Sequence, residues 1–223
     1  MAPKGAAVLM ETRLVSGMEK LQRAINDAAT MHSQMSSCFT ELVAIANVCV
    51  KALKHGNKLL FCGNGGSAAE AQHIATEFVV RLTAKRNRRA LAAIALTTDT
   101  SLLTACANDM GFEKVFARQV EAHMQKGDVL FLLSTSGASD NLLEAAQAAR
   151  AQQGVTVALL GKENTPLDEF ADHSLHVPSQ SSQRVQEAHL LCGHMLVELV
   201  EDLLIQQWNL EDNERPESPP VIT

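Results

Sequence analysis

The chain has 223 residues, of which 46% are apolar and 20% charged, and a formal net charge of −6. This balance excludes a wholly disordered chain, and the acidic excess disfavours nucleic acid, whose binders carry a basic surplus. No apolar run approaches the roughly 18–20 residues that cross a bilayer.

In chain order, residues 11–54 read as helical. Leu14, Met18, Leu21 and Ile25 repeat at three and four spacing, and Leu42, Ile45 and Val48 continue the pattern. The polar stretch Asn26–Ser37 predicts a bend between two helices. The period then changes. Lys58–Cys62 is a short apolar run that ends in Gly63-Asn64-Gly65-Gly66-Ser67, a buried strand feeding a turn. Leu91–Leu96, Val129–Leu133 and Val155–Leu160 predict further buried strands, and Ser174–Val177 a weaker one. Helical patterns lie between and after them at 68–83, 113–125, 139–152 and 183–207. Strands alternating with helices imply crossover units and an α/β fold with a parallel sheet. Ligands of such sheets bind beyond the carboxyl ends of the strands, which directs attention to the loops after Cys62, Leu96 and Leu133.

The ends differ from the middle. No proline lies between residues 4 and 165, whereas three fall in the last eight residues. The tail 211–223 carries one Arg against four acidic residues and reads as a solvated, flexible segment. The expected division is a flexible N-terminus over 1–14, one domain over 15–207 and an acidic, Pro-rich tail over 208–223. The N-terminal apolar patch Ala6–Met10 is too short for a secretory signal. The five cysteines are scattered without CxxC spacing, as expected of reduced thiols in a cytoplasmic core.

Three features carry chemistry. The glycines of Gly63–Ser67 let a backbone approach a ligand at a helix N-terminus, or simply make a turn. Gly63–Ala68 fits a loose dinucleotide fingerprint, but no acidic residue lies between Glu77 and Asp99, and no Gly-Lys-Ser/Thr follows for a P-loop. Ser134-Thr135-Ser136-Gly137-Ala138-Ser139 places four hydroxyls in six residues after a strand. That suits a lysine-free phosphate cradle, with capping by one or two hydroxyls as the alternative. His73 and Glu77 share a helix face at i, i+4, a spacing that serves metal chelation, acid–base work or a plain surface pair. Gln186 and His194 lie about 80° apart around the last helix, with His189 competing. Asp109, beside Asn108, suits either a cap for a helix starting near Phe112 or a contact to sugar hydroxyls. The basic run Arg81, Lys85, Arg86, Arg88 and Arg89 reads mostly as a solvated turn, with Arg81 the one to test for a charge role.

Together, Gly63–Ser67, Ser134–Ser139, His73 with Glu77, and Gln186 with His194 resemble the phosphoheptose isomerases of the single-domain sugar isomerase (SIS) family. The resemblance spans about residues 15–207. It implies a flavodoxin-like five-stranded parallel sheet flanked by helices, with N-terminal helices building a homotetramer whose active sites lie at subunit interfaces. It implies substrate contacts from Asn64, Gly65, Gly66, Ser67, Asn108 and Asp109, and a phosphate loop of Ser134, Thr135, Ser136 and Ser139. It further implies one zinc ion on His73, Glu77, Gln186 and His194, with Glu77 and His194 as catalytic base and acid and Gln186 also touching substrate. The implied reaction is conversion of D-sedoheptulose 7-phosphate to D-glycero-D-manno-heptose 7-phosphate through an enediol(ate), the first step of heptose synthesis for lipopolysaccharide or another surface polysaccharide. Gln183 stands where the family commonly has Asp, and Ala138 where many members have Asn. Two non-enzymatic readings compete: an SIS protein that associates with the replication initiator, and a sugar-phosphate-sensing SIS module. Retention of Glu77, His194, His73 and Gln186 together favours the enzyme.

Overall fold

The computed structural model describes the backbone of residues 4–161 and 163–213, with side chains over 15–161 and 163–208. Most of the acidic tail lies outside the described residues. Helix α1 (Lys4–Gln34) passes through a short 3-10 turn, Met35–Cys38, into α2 (Phe39–Lys54). Five strands follow: β1 (Leu59–Gly63), β2 (Ala93–Ala95), β3 (Val129–Ser134), β4 (Val155–Leu160) and β5 (His173–His176). Between them run α3 (Gly66–Val79), α4 (Thr100–Met110), α5 (Ala117–His123) and α6 (Asp140–Ala151), and α7 (Ser182–Asn213) closes the described chain.

The sheet has the order β2-β1-β3-β4-β5, and every pairing is parallel. All of β1 and β3 is buried, which explains their unbroken apolar runs. Alternate residues feed two cores. Leu59, Phe61, Phe131 and Leu133 face α2, α3 and α7, while Leu60, Cys62, Leu130 and Leu132 face α5 and α6. On the first face Phe61 stacks on Phe131 with ring centroids 4.6 Å apart and on Phe78 of α3 at 5.9 Å. All five cysteines are free and buried, and burial pushes the thiols of Cys49, Cys62 and Cys192 upward.

Several expectations shift. The bend falls at 35–38 rather than across 26–37, and the backbone of residues 4–14 is helical, continuous with α1. Helix α7 continues to Asn213, past the expected domain boundary at 207. Strand β2 is not buried: it pairs only with β1 at the sheet edge, and its Ile94 is 41% exposed. Helix α3 stops at Val79, so 80–83 is loop. The stretch Val15–Lys54 does hold an 18-residue window long and apolar enough, by length and composition alone, to cross a bilayer; 33% of that window is buried. Its inner residues, among them Leu42, Ile45 and Cys49, form part of the first core. The stripe Val15, Met18, Leu21 and Ile25 is uncovered, each residue more than half exposed in the single chain.

At the amino end of the sheet, Asp128 ties β1 to β3. Its buried carboxylate accepts from Lys58 N at 2.9 Å, Gln125 N at 2.7 Å, Asn57 Nδ2 at 3.2 Å and the Lys58 ammonium at 2.5 Å. Burial works to raise its pKa, but these donors outweigh burial and hold the group below its ordinary value. A depressed carboxylate stabilises the fold above its unfolded pKa, and that stability is lost as pH falls through the folded value. Asp128→Ala is expected to lower unfolding stability at neutral pH by about 3 kcal/mol. The difference should shrink toward acid, as read by denaturant titration at several pH values.

Candidate active site

In the strand order found here, the chain leaves β1 toward one edge of the sheet and β3 toward the other. The crevice where these connections diverge is the switch point of a doubly wound sheet. The two loops singled out in the sequence open there. Asn64, after β1, and Asn141, in the first turn of α6, exchange amide hydrogen bonds of 2.9 and 2.8 Å. In the second loop Ser134 Oγ accepts from Gly137 N at 2.9 Å, and Ser136 Oγ from Ala138 N at 3.4 Å. Ser139 occupies the cap position of α6, yet its side chain makes no capping bond. Its hydroxyl, with the half-buried Thr135 and exposed Ser136, remains for a ligand at the positive end of α6.

Helices α3 and α7 each return from a parallel strand across the same sheet face, so they run in the same direction. Their contacts form a ladder. At its first rung a Cβ on Gly66 would overlap the Gln186 amide, Cδ lying 2.8 Å from that position, so a larger residue there would displace this amide from its present place. Next, Glu70 faces His189 at 3.8 Å. Then a Cβ on Gly193 would fall 2.6 Å from Ile74, so the helices approach closely here. Beside it, His73 Nε2 lies 2.9 Å from His194 Nε2 and 3.5 Å from Glu77 Oε1. Ligand atoms of His73, Glu77 and His194 all fall within 4.8 Å of one another. The His73 side chain is 46% exposed and Glu77 20%, so the cluster opens to solvent at one side. Two imidazoles and a carboxylate in this arrangement can chelate a divalent metal or exchange protons with a bound substrate.

Of the two α7 histidines, His194 stands beside His73, while the fully buried His189 faces Glu70. Asn108 and Asp109 lie apart. They sit exposed in the last turn of α4, Asn108 donating to Asp109 at 2.8 Å. Asp109 therefore does not start a helix near Phe112; the cap in this region is Asp99, which accepts from Leu102 N at 3.0 Å. Among the described residues, neither bonds to the two loops. Arg81 is exposed, and Gln183 accepts from Ser181 Oγ at 2.8 Å. The basic run is a loop in which Arg81, Lys85 and Arg89 are exposed, as expected, but Arg86 pairs with Glu198 and Asp202, and Arg88 is buried against Glu201. Sequence reading also passed over Asn141 and Glu70. The one available signal for the arginines was the acidic set Glu198, Glu201 and Asp202 on one helix face.

The sequence model of the SIS domain family matches residues 14–161. The chain is 51% identical over 155 residues to the phosphoheptose isomerase of a Nitratiruptor species, covering 70% of this chain and 82% of that protein. The chain belongs to the phosphoheptose isomerase family. It is also 43% identical over 191 residues to the phosphoheptose isomerase of Aquifex aeolicus, covering 85% of this chain and 99% of that one. A phosphoheptose isomerase structure from Francisella tularensis superposes with a TM-score of 0.80 at 30% identity, over 83% of this chain and 98% of the other. The SIS fold and an isomerase activity follow from this membership.

The buried rung at Glu70 gives a pH test. Burial pushes the Glu70 carboxyl up to about 7, against a hydrogen bond from Ser67, and pushes His189 down to about 4. A carboxylate raised on folding holds its proton where the unfolded chain has lost it, so stability falls as pH climbs through that interval. Glu70→Gln is therefore expected to be more stable than the natural chain at about pH 8 and to differ little at about pH 5. Thermal melts at the two pH values check this.

Proposed function

We propose that this chain interconverts D-sedoheptulose 7-phosphate and D-glycero-D-manno-heptose 7-phosphate, supplying heptose for a surface polysaccharide. The observation that carries the reading is the meeting of Glu77, His73 and His194 within 4.8 Å, on the sheet face covered by α3 and α7. Ser134, Thr135, Ser136 and Ser139, with the amino end of α6, bind the phosphate through neutral donors. Asn64, Gly65, Gly66 and Ser67 line the sugar, and Gln186, whose amide lies against Gly66, reaches it from α7. Asn108 and Asp109 are proposed as further sugar contacts on the resemblance alone.

The reaction moves one proton between neighbouring carbons. The Glu77 carboxylate removes a proton from C1 of the ketose, and the electron pair of that bond forms the C1–C2 double bond. The carbonyl oxygen at C2 takes a proton from His194, giving an enediol. His194 then recovers a proton from the C1 hydroxyl, C1 becomes the aldehyde, and protonated Glu77 delivers its proton to C2. Atoms and charge balance without an external oxidant.

Two imidazoles and a carboxylate converge and fit zinc, whereas Gln186, the fourth ligand that the resemblance implies, lies at the Gly66 rung, about 12 Å along α7 from His194. Zinc held there would supply Lewis acidity toward the substrate oxygens. The same carboxylate cannot be a full ligand and a full base at once, so Glu77 serves one role at the other's expense. The uncovered stripe of α1 supports the homotetramer, and the free buried cysteines support a cytoplasmic setting. The replication-initiator and sugar-sensing alternatives require no meeting of Glu77 with two histidines.

Purified protein is expected to turn over sedoheptulose 7-phosphate, and Glu77→Gln to retain the native melt while losing at least about 10²-fold in kcat. Wild-type turnover by that variant would refute Glu77 as the base. Metal analysis is expected to find zinc in the natural chain and less in His73→Ala. Chelation should lower activity and added zinc restore it; unchanged turnover by metal-free protein would exclude zinc from the reaction.

A further inference from the structure

Helix α3 ends just beyond Glu77, where carbonyl groups lose their helical partners. Val80 N closes the last helical bond, to Thr76 O at 2.8 Å, and Leu91 N donates to Phe78 O at 3.2 Å. Between them, Glu77 O accepts from Arg88 Nη2 at 2.8 Å. The same guanidinium donates through Nε to Glu201 Oε1 at 2.7 Å and through Nη1 to Arg89 O at 2.9 Å. The side chains of Arg88 and Glu201 are both fully buried. Glu201 Oε1 also accepts from Leu82 N at 3.2 Å, and Arg86 Nε stands 3.6 Å from Oε2.

From this geometry we infer that Arg88, held by Glu201, is a positioning residue for Glu77: it fixes the main-chain carbonyl from which the reactive carboxylate is hung. The inference rests on the reading of Glu77 as the base. A buried ion pair is a poor device for stability alone, since an apolar pair of similar volume avoids desolvating two charges. An apolar pair could not grip the Glu77 carbonyl. The planar fork of an arginine can, because it presents donors in two directions at once. Anchoring this carbonyl limits rotation of the last turn of α3, and a misplacement of about 1 Å at a reacting group costs about 10²-fold in rate.

The test measures kcat, KM for sedoheptulose 7-phosphate and the melting temperature on zinc-loaded protein. Arg88→Lys keeps the charge beside Glu201 and gives up the fork. The double variant Arg88→Met/Glu201→Gln removes both buried charges and keeps an acceptor for Leu82 N–H. Both are expected to lose about tenfold or more in kcat with KM within about twofold of the natural value. The melting temperature of the double variant should recover relative to Arg88→Met alone. Unchanged kcat in folded Arg88→Lys, recovery of kcat in the double variant, or a loss carried only by KM would each overturn the inference. Glu77→Gln assayed in parallel separates the two readings. If it is inactive while Arg88→Lys is fully active, positioning alone fails; if it turns over normally, the base assignment fails and the inference with it.

Discussion

The seam between α3 and α7 is the contact on which the site depends. Both helices return across one face of a parallel sheet, so they run in the same direction and meet rung by rung. Gly66 opposes Gln186, Glu70 opposes His189, Ile74 packs on Gly193, and His73 stands beside His194. At Gly66 and Gly193 a methyl group would collide with the facing side chain. The imidazoles are 2.9 Å apart because the backbones can come together one residue earlier, at Gly193. Packing therefore comes first, and the cluster follows from it.

The sheet order does the second part. Placing β1 and β3 side by side at the centre, with their connections leaving toward opposite edges, opens one crevice and puts a glycine-rich loop and a hydroxyl-rich loop on its two sides. The paired amides of Asn64 and Asn141 join those loops. A neutral link suits this position. It holds both loops without placing a fixed charge beside the proposed phosphate-binding hydroxyls, and it leaves the α6 dipole to attract the anion.

The sequence carried the sheet because apolar runs of β1 and β3 are buried on both faces, and buried strands leave an unbroken apolar signal. It carried His73 with Glu77 because i, i+4 spacing on a helix is local geometry. It did not separate His194 from His189, since both angles around α7 are possible until α3 is docked. It misread β2 because an apolar run says nothing about position within a sheet. It misread Arg86 and Arg88 for a related reason: they find their partners on α7, more than a hundred residues later in the chain, and no local pattern contains that distance. The apolar repeat of α1 identified a helix but not its uncovered face, because the same periodicity serves a core and an interface.

The polar rungs of the seam are set into the larger of the two apolar cores. Glu70, His189, Arg88 and Glu201 occupy positions that apolar side chains would fill more favourably, because each loses water that its neighbours only partly replace. On the opposite face, where α5 and α6 cover Leu130, Leu132 and Leu160, the buried polar side chains Gln119, Asn141 and Thr156 are neutral. The side that carries the chemistry holds the larger apolar cluster and accepts buried charge within it. The arrangement has a physical logic. An apolar contact holds two helices together while leaving them some freedom to slide or rotate. A forked guanidinium bound to a carboxylate on one helix and a carbonyl on the other fixes one angle. A carboxylate that must meet two imidazoles needs that angle more than it needs another leucine.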